Sequence, residues 1–183
     1  KRWLAEFIIE IKKRDVLWSV GGMRVNCISS EWIAKMKDAG CSVIITGMES
    51  GSQRMLDIME KKTTSEQNKN AVKWLAENNM YTVVQLVVAM PGETPETIKE
   101  TADFTSYFVE LSPNIDPNRM SINYAQALPG TPLYETARRK GCIGQTLDSE
   151  ENYLLKISGR DARDGATYIN LTDYPQLMVE DWY

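Results

Sequence analysis

Apolar residues recur at Trp3, Leu4, Phe7, Ile8 and Ile11, the spacing of one helical face, so residues 2–14 are predicted as a helix. A strand is expected within Val16–Asn26, with Gly21-Gly22 as a bulge or a close backbone approach. Ser29 or Ser30 is placed to cap a second helix with Trp32, Ile33 and Met36 on its apolar face, and Gly40 ends it. Ser42–Thr46 is a continuous apolar run of the kind a buried parallel strand needs. A short helix is predicted over Ser52–Met59, and Thr64-Ser65-Glu66-Gln67 is a capping box opening a helix to about Asn79. Tyr81–Ala89 reads as the third strand. Thr94, Pro95 and Glu96 then open a helix to about Leu111. Met120–Gln126 is a fourth strand, and Thr131-Pro132 opens a short helix ending near Gly141. Residues 143–183 have weaker periodicity, with one helix at Glu150–Ile157 and mixed loop after it.

This alternation predicts βαβ crossovers and a parallel sheet, an α/β fold. The chain opens at Lys1 inside an amphipathic pattern with no preceding strand, which suggests an excised piece of a larger protein.

The 183 residues are enough for a domain with a real core, and the apolar (43%) and charged (25%) fractions are those of a globular protein. No apolar run approaches a membrane helix, and no secretory signal is visible, so a cytoplasmic setting without a membrane is expected. A net charge of −4 gives no electrostatic reason to expect nucleic acid. The chain has no histidine, which removes Ser-His and Cys-His nucleophile pairs and His-ligated metal. The cysteines Cys27, Cys41 and Cys142 have no metal-type spacing, so no residue is assigned to metal and no catalytic residue is named.

In parallel α/β sheets the carboxyl ends of the strands form the binding face. Those ends offer Arg24 and Asn26; Glu49, Ser50 and Ser52; Met90, Pro91 and Glu93; and Tyr124, Gln126 and Pro129. Glu49 is the sharpest. A carboxylate just past a buried strand must be solvated, paired or bound to a ligand. A ligand's ammonium or ribose hydroxyls would satisfy it, and so would a salt bridge with Arg24 or Arg54. Ser50-Gly51-Ser52 offers hydroxyls and N–H groups at a helix start, suited to an anion or to simple capping. Met90 and its like near strand ends suit core or pocket wall, and Pro91-Gly92-Glu93-Thr94 is by itself a turn with a cap.

Several segments, in order, resemble the radical S-adenosylmethionine (SAM) enzymes, in the branch with cobalamin-dependent and anaerobic cyclase-type members. They are Arg24-Val25-Asn26, Gly47-Met48-Glu49-Ser50-Gly51-Ser52, Met59-Glu60-Lys61-Lys62-Thr63-Thr64, Met90-Pro91-Gly92-Glu93-Thr94 and Pro129-Gly130-Thr131-Pro132-Leu133-Tyr134. The likeness covers roughly residues 1–141 and implies a partial TIM-type barrel, the last four βα units of a (β/α)6 barrel, with residues 142–183 as an extension packing on the barrel or partly disordered.

The resemblance further implies SAM across the strand ends, ligating a [4Fe–4S] cluster, with cobalamin a further cofactor of some members. Reductive cleavage of SAM would give a 5′-deoxyadenosyl radical for methylation, cyclisation or rearrangement of a small-molecule substrate. By position, Glu49 and Ser50 would contact the ribose or amino-acid part of SAM, with Arg24 and Ser52 nearby. Met90 and Pro91 would border the adenine, and Tyr124 and Gln126 would face the pocket. Two departures stand out. Ala89 occupies a position where the family often has glycine, and the cluster-binding Cys-x-x-x-Cys-x-x-Cys motif is missing. The expectation is therefore a carboxyl-terminal fragment, inactive alone, that self-associates through an exposed sheet edge. The rivals are a non-catalytic binding domain for a nucleotide-like ligand and, within the family, a methylthiotransferase.

Overall fold

The computed structural model describes residues 2–111, 116–158, 162, 163, 165 and 168–183. Parts of the expected loop after residue 158 lie outside them. The internal contacts divide the chain into two compact units, Lys1–Leu86 with Lys99–Ser121, and Val87–Ile98 with Ile122–Tyr183.

The elements follow the predicted alternation. Helix α1 (Arg2–Lys12) leads to strand β1 (Trp18–Val20), a 3-10 turn at Val25–Cys27, helix α2 (Ser30–Asp38) and strand β2 (Cys41–Glu49). Helices α3 (Gln53–Ile58) and α4 (Ser65–Glu77) precede strand β3 (Tyr81–Val88). Then come α5 (Pro95–Glu110), β4 (Met120–Tyr124), α6 (Pro132–Arg139), α7 (Leu147–Ile157) and α8 (Gln176–Glu180). The strands form one sheet in the order β1-β2-β3-β4, with β1–β2 and β2–β3 parallel. This is the expected α/β class.

Local signals act where the sequence puts them. The Ser29 hydroxyl accepts the N–H of Trp32, Thr131 accepts that of Tyr134, and Thr64 with Gln67 forms the full capping box. Thr94 and Thr97 cap α5 reciprocally through side-chain hydroxyls. Gly40 has φ 90°, and a Cβ there would run into the Val16 carbonyl oxygen, so glycine is required at that turn.

Three departures from expectation stand out. The first strand is three residues long, not the span Val16–Asn26, because the chain bends at Gly21-Gly22, with Gly22 at φ 70°, and turns again at Val25–Cys27. It stays beside β2 through the Met23 N–H, which donates to the Ile45 carbonyl at 2.9 Å. Helix α7 starts earlier than predicted, because Thr146 and Ser149 form a capping box ahead of it. Helix α8 arises in a segment expected to be loop.

The first unit buries Ile33, Met36, Ile44, Met55, Leu75 and Phe104 completely or nearly so. In β2 and β3 the buried positions alternate with half-buried ones. One face of each strand is therefore sealed, and the other carries Ile45, Gly47, Val83 and Gln85. The second unit has two clusters. One gathers Tyr134, Ala137, Ile143, Tyr153 and Leu171. The other gathers Val88, Ala89, Tyr124, Tyr168 and Val179.

Candidate functional site

In the first unit the site is built around the end of β2. The pairing of β2 with β3 slips between Gly47 and Glu49, so that Gly47 pairs with Gln85 and Glu49 with Leu86. The extra residue is a bulge, which re-aims the side chains around it. Glu49 takes a left-handed backbone, φ 62°. Its carboxylate forms an ion pair with Lys61, and the two side chains are 20% and 32% exposed. The carboxylate folds back over Gly47, where a Cβ would lie 2.5 Å from Glu49 Oε1. Glu49 is thus paired, but with neither Arg24 nor Arg54. Lys61 belongs to the Met59–Thr64 segment, whose composition alone gives it no role.

Ser50 and Ser52 are buried, at 1% and 0% exposure. The Ser50 hydroxyl lies 2.9 Å from Thr101 Oγ1 and accepts the Ser52 N–H at 3.0 Å. Ser52 stands at the cap position of α3, yet its hydroxyl makes no capping bond and has no partner among the described residues. The turn is locked from both sides. Thr101 Oγ1 accepts the Gly51 N–H at 3.1 Å. The buried Asn68 amide donates to the carbonyls of Met48 and Ser50 at 3.0 Å each. These two residues were not legible as parts of the site, because each lies on a helix remote in sequence. Gly51 leaves room for α5, since a Cβ would fall 2.6 Å from the Glu100 carbonyl oxygen and from Phe104 Cβ.

Arg24 is exposed and forms no ion pair among the described residues. It borders an apolar cavity of about 380 Å³ walled by Trp3, Phe7, Trp18, Val20 and Met23.

In the second unit, the turn after β3 is organised by Glu93. Its buried carboxylate accepts the N–H groups of Ala89 and Met90 at 2.6 and 3.2 Å. Burial pushes its pKa up to about 7, and the two N–H groups pull against that shift. Met90 and Pro91 are half-buried on this turn. Ala89 is fully buried and left-handed, φ 68°, at the position where glycine was expected from the resemblance. Tyr124 ends β4 at 5% exposure, stacked on Tyr168 at 4.0 Å and on Tyr183 at 4.8 Å between ring centroids. Gln126, half-buried, keeps its Nε2 without a partner among the described residues.

The donor chemistry fits the two halves of the implied cofactor set differently. Glu49 and Lys61 offer a carboxylate and an ammonium to a polar ligand. A cluster needs thiolates, and the three cysteines do not form the triplet that would supply them. Cys41 is buried with its pKa pushed up by that burial, and Cys27 and Cys142 are exposed. Among the described residues no group of three or more His, Cys, Asp or Glu could hold a metal ion. None of the described helices is long and apolar enough to cross a membrane.

Comparison with known proteins adds four findings. The chain is 31% identical over 163 residues to the anaerobic magnesium-protoporphyrin IX monomethyl ester cyclase of Rubrivivax gelatinosus, covering 87% of this chain and 28% of that protein. Its fold is similar to the radical SAM methyltransferase TsrM of Kitasatospora setae, solved with cobalamin and a [4Fe–4S] cluster bound. The TM-score is 0.59 at 22% identity, over 74% of this chain and 28% of that one. It is similar as well to the cobalamin-dependent SAM radical enzyme OxsB, solved with aqua-cobalamin and SAM bound, with a TM-score of 0.55 at 17% identity over 76% of this chain and 25% of that one. The chain therefore spans little more than a quarter of the length of these proteins. The sequence model of the radical SAM superfamily matches residues 2–105, and on that match the chain belongs to the radical SAM superfamily.

Proposed function

We propose that this chain supplies the carboxyl-side part of the SAM site of a cytoplasmic radical SAM enzyme acting on a small-molecule substrate. The observation that carries this reading is the half-buried Glu49 carboxylate at the bulged end of β2, within a chain of this superfamily. A buried or half-buried carboxylate aimed by a bulge can take an ammonium or ribose hydroxyls with charge-assisted hydrogen bonds. Ser50 and Ser52 stand beside it; the Ser50 hydroxyl holds the turn, and the buried Ser52 hydroxyl, without a partner among the described residues, is a candidate donor to a ligand. Arg24 is a second candidate contact in the same unit. In the second unit, Met90 and Pro91 are the candidate neighbours of the adenine, and Tyr124 and Gln126 the candidate pocket residues.

A bound cluster would supply the electron that cleaves SAM to methionine and a 5′-deoxyadenosyl radical. Its thiolates would come from outside this sequence, and cobalamin is a further cofactor that two of the similar structures carry. The outcome for the substrate is methylation, cyclisation or rearrangement. Self-association fits the short β1 at the end of the strand order and the exposed Trp3 and Leu17, 71% and 84% accessible. Sedimentation of the isolated chain over a concentration series tests it, and a strict monomer counts against it.

The decisive experiment is calorimetric titration of SAM into the natural full-length protein, reconstituted anaerobically. Glu49→Ala is expected to weaken binding roughly 10- to 150-fold, the equivalent of losing about 1.5–3 kcal/mol of charged hydrogen bonding, with iron content unchanged. An unaltered affinity would show the carboxylate to be structural.

A further inference from the structure

Every polar side chain on β2 and β3 but one has a partner among the described residues. The Ser42 hydroxyl donates to the Trp18 carbonyl at 3.2 Å, and the Thr46 hydroxyl to that of Met23 at 2.8 Å. Glu49 pairs with Lys61. The Tyr81 hydroxyl donates to Asp116 at 3.0 Å, and that of Thr82 to the Met80 carbonyl at 3.1 Å. The exception is Gln85, in the run Val83-Val84-Gln85-Leu86, whose amide makes no hydrogen bond among the described residues. Gln85 stands on the open face of the sheet. Val84 and Leu86 on either side of it are sealed, whereas Gln85, Val83 and, across on β2, Ile45 and Gly47 are half-buried. In the register Gln85 is paired with Gly47, and Val83 with Ile45. Glycine has no side chain to set against the glutamine, so the amide lacks the cross-strand contact that stabilises a sheet position. Over Gly47 lies the Glu49 carboxylate, already paired with Lys61. In this unit the open face is thus apolar at Ile45 and Val83, carries one amide, and borders a charge that is neutralised. A glutamine adds little to folding there. The β-branched residues around it suit a strand better, and its amide has to be kept hydrated or paired.

We propose that Gln85 determines substrate specificity by hydrogen-bonding an uncharged amide-type group, a carboxamide or lactam, on an otherwise apolar substrate. This rests on the SAM-site reading above and deepens it by naming the substrate class. A substrate that reacts with a radical made from SAM must lie against SAM, on the face that receives it. The strand next to β2, about 4.8 Å away, presents Gln85 to that face. The glutamine amide offers a donor and an acceptor in one plane, and an amide-type group offers the reverse pair, so both are satisfied at once. A carboxylate has no donor. It would leave the Gln85 carbonyl oxygen unpaired and would lose hydration against Ile45 and Val83. An ammonium fails in the converse way, leaving the Gln85 NH2 unpaired. A site built around a polar group rejects molecules that leave that group without its partner.

The test uses hexanamide and hexanoate, which share a chain length and differ in the terminal group. Their dissociation constants are measured by ligand-observed NMR on the natural full-length protein, reconstituted anaerobically, with SAM present. The wild type is expected to prefer hexanamide by about 3- to 10-fold, the range of a neutral hydrogen bond. Gln85→Leu, which keeps the bulk and removes the amide, is expected to abolish that preference. Gln85→Glu is expected to keep it, because the new carboxylate accepts from the amide and repels hexanoate. A preference for hexanamide that survives in Gln85→Leu, with the variant folded by circular dichroism, overturns the assignment. SAM affinity, titrated in the same samples, separates the two readings. If Gln85→Leu loses as much affinity for SAM as for hexanamide, the residue is a cofactor contact and the substrate assignment is overturned. A wild type that binds SAM but does not distinguish the two compounds, or binds neither, overturns this inference alone. A wild type that binds no SAM overturns the SAM-site reading and this inference with it.

Discussion

The Glu93 carboxylate accepts the N–H of Ala89 at 2.6 Å, closing the turn that follows β3 from inside the second unit. The same oxygen accepts the Met90 N–H at 3.2 Å, and only 2% of the residue is exposed. The Pro-Gly-Glu-Thr segment therefore contains its own internal brace.

The brace makes stability depend on pH. The folded pKa of about 7 lies above the ordinary 4.5, so the folded state holds a proton that the unfolded chain releases. Stability from this group is fully present below about pH 4.5 and is lost as pH rises through 7. Glu93→Gln keeps an acceptor and removes the titration. Urea denaturation at pH 5 and 8 is expected to show a smaller loss on alkalinisation in the variant, by on the order of 1–3 kcal/mol. An identical pH slope in both proteins would mean that Glu93 is not held protonated.

Ala89 is fully buried in a left-handed conformation that glycine adopts without steric cost. Ala89→Gly is expected to relieve about 1–2 kcal/mol of backbone strain while adding about 0.4–1 kcal/mol of unfolded-state entropy. The expected net gain is between zero and roughly 1.6 kcal/mol, read as a raised midpoint in thermal unfolding. A drop of that size would mean that the alanine methyl packs well enough to outweigh the strain.

Gly51 lies against the backbone of α5, and its added Cβ would come 2.9 Å from Thr101 Cα besides the closer approaches to Glu100 and Phe104. These are backbone and Cβ atoms that cannot swing aside. Gly51→Ala is expected to destabilise by about 1–3 kcal/mol and to speed hydrogen exchange at the Gly51 amide, whose acceptor is Thr101. Unchanged exchange would place the contact elsewhere.

Tyr183 is 45% exposed and stacks on Tyr124 with the rings 15° from parallel. Tyr183→Ala is expected to cost about 0.5–1.5 kcal/mol and to change the near-ultraviolet circular dichroism of the tyrosine stack. A spectrum indistinguishable from wild type would show that the stack does not persist in solution.

What the sequence determined by itself was local or repetitive. The period of the apolar residues located the alternating helices and strands, and the caps at Ser29, Thr64 and Thr131 act within three residues of themselves. Such signals need no tertiary partner. The order of short motifs carried the family for the same reason. Tertiary structure decided what depends on residues far apart in the chain. Glu49 pairs with Lys61 and not with either arginine, because a bulge turns one and a loop with left-handed Glu60 and Lys62 presents the other. The hydroxyl of Ser50 is taken by Thr101, 51 positions away on α5. The first strand shrinks to Trp18–Val20 because the backbone turns at Gly22, and no periodicity in the sequence records a φ angle. A side chain's partner is set by which elements the fold brings into contact, and that is a property of packing.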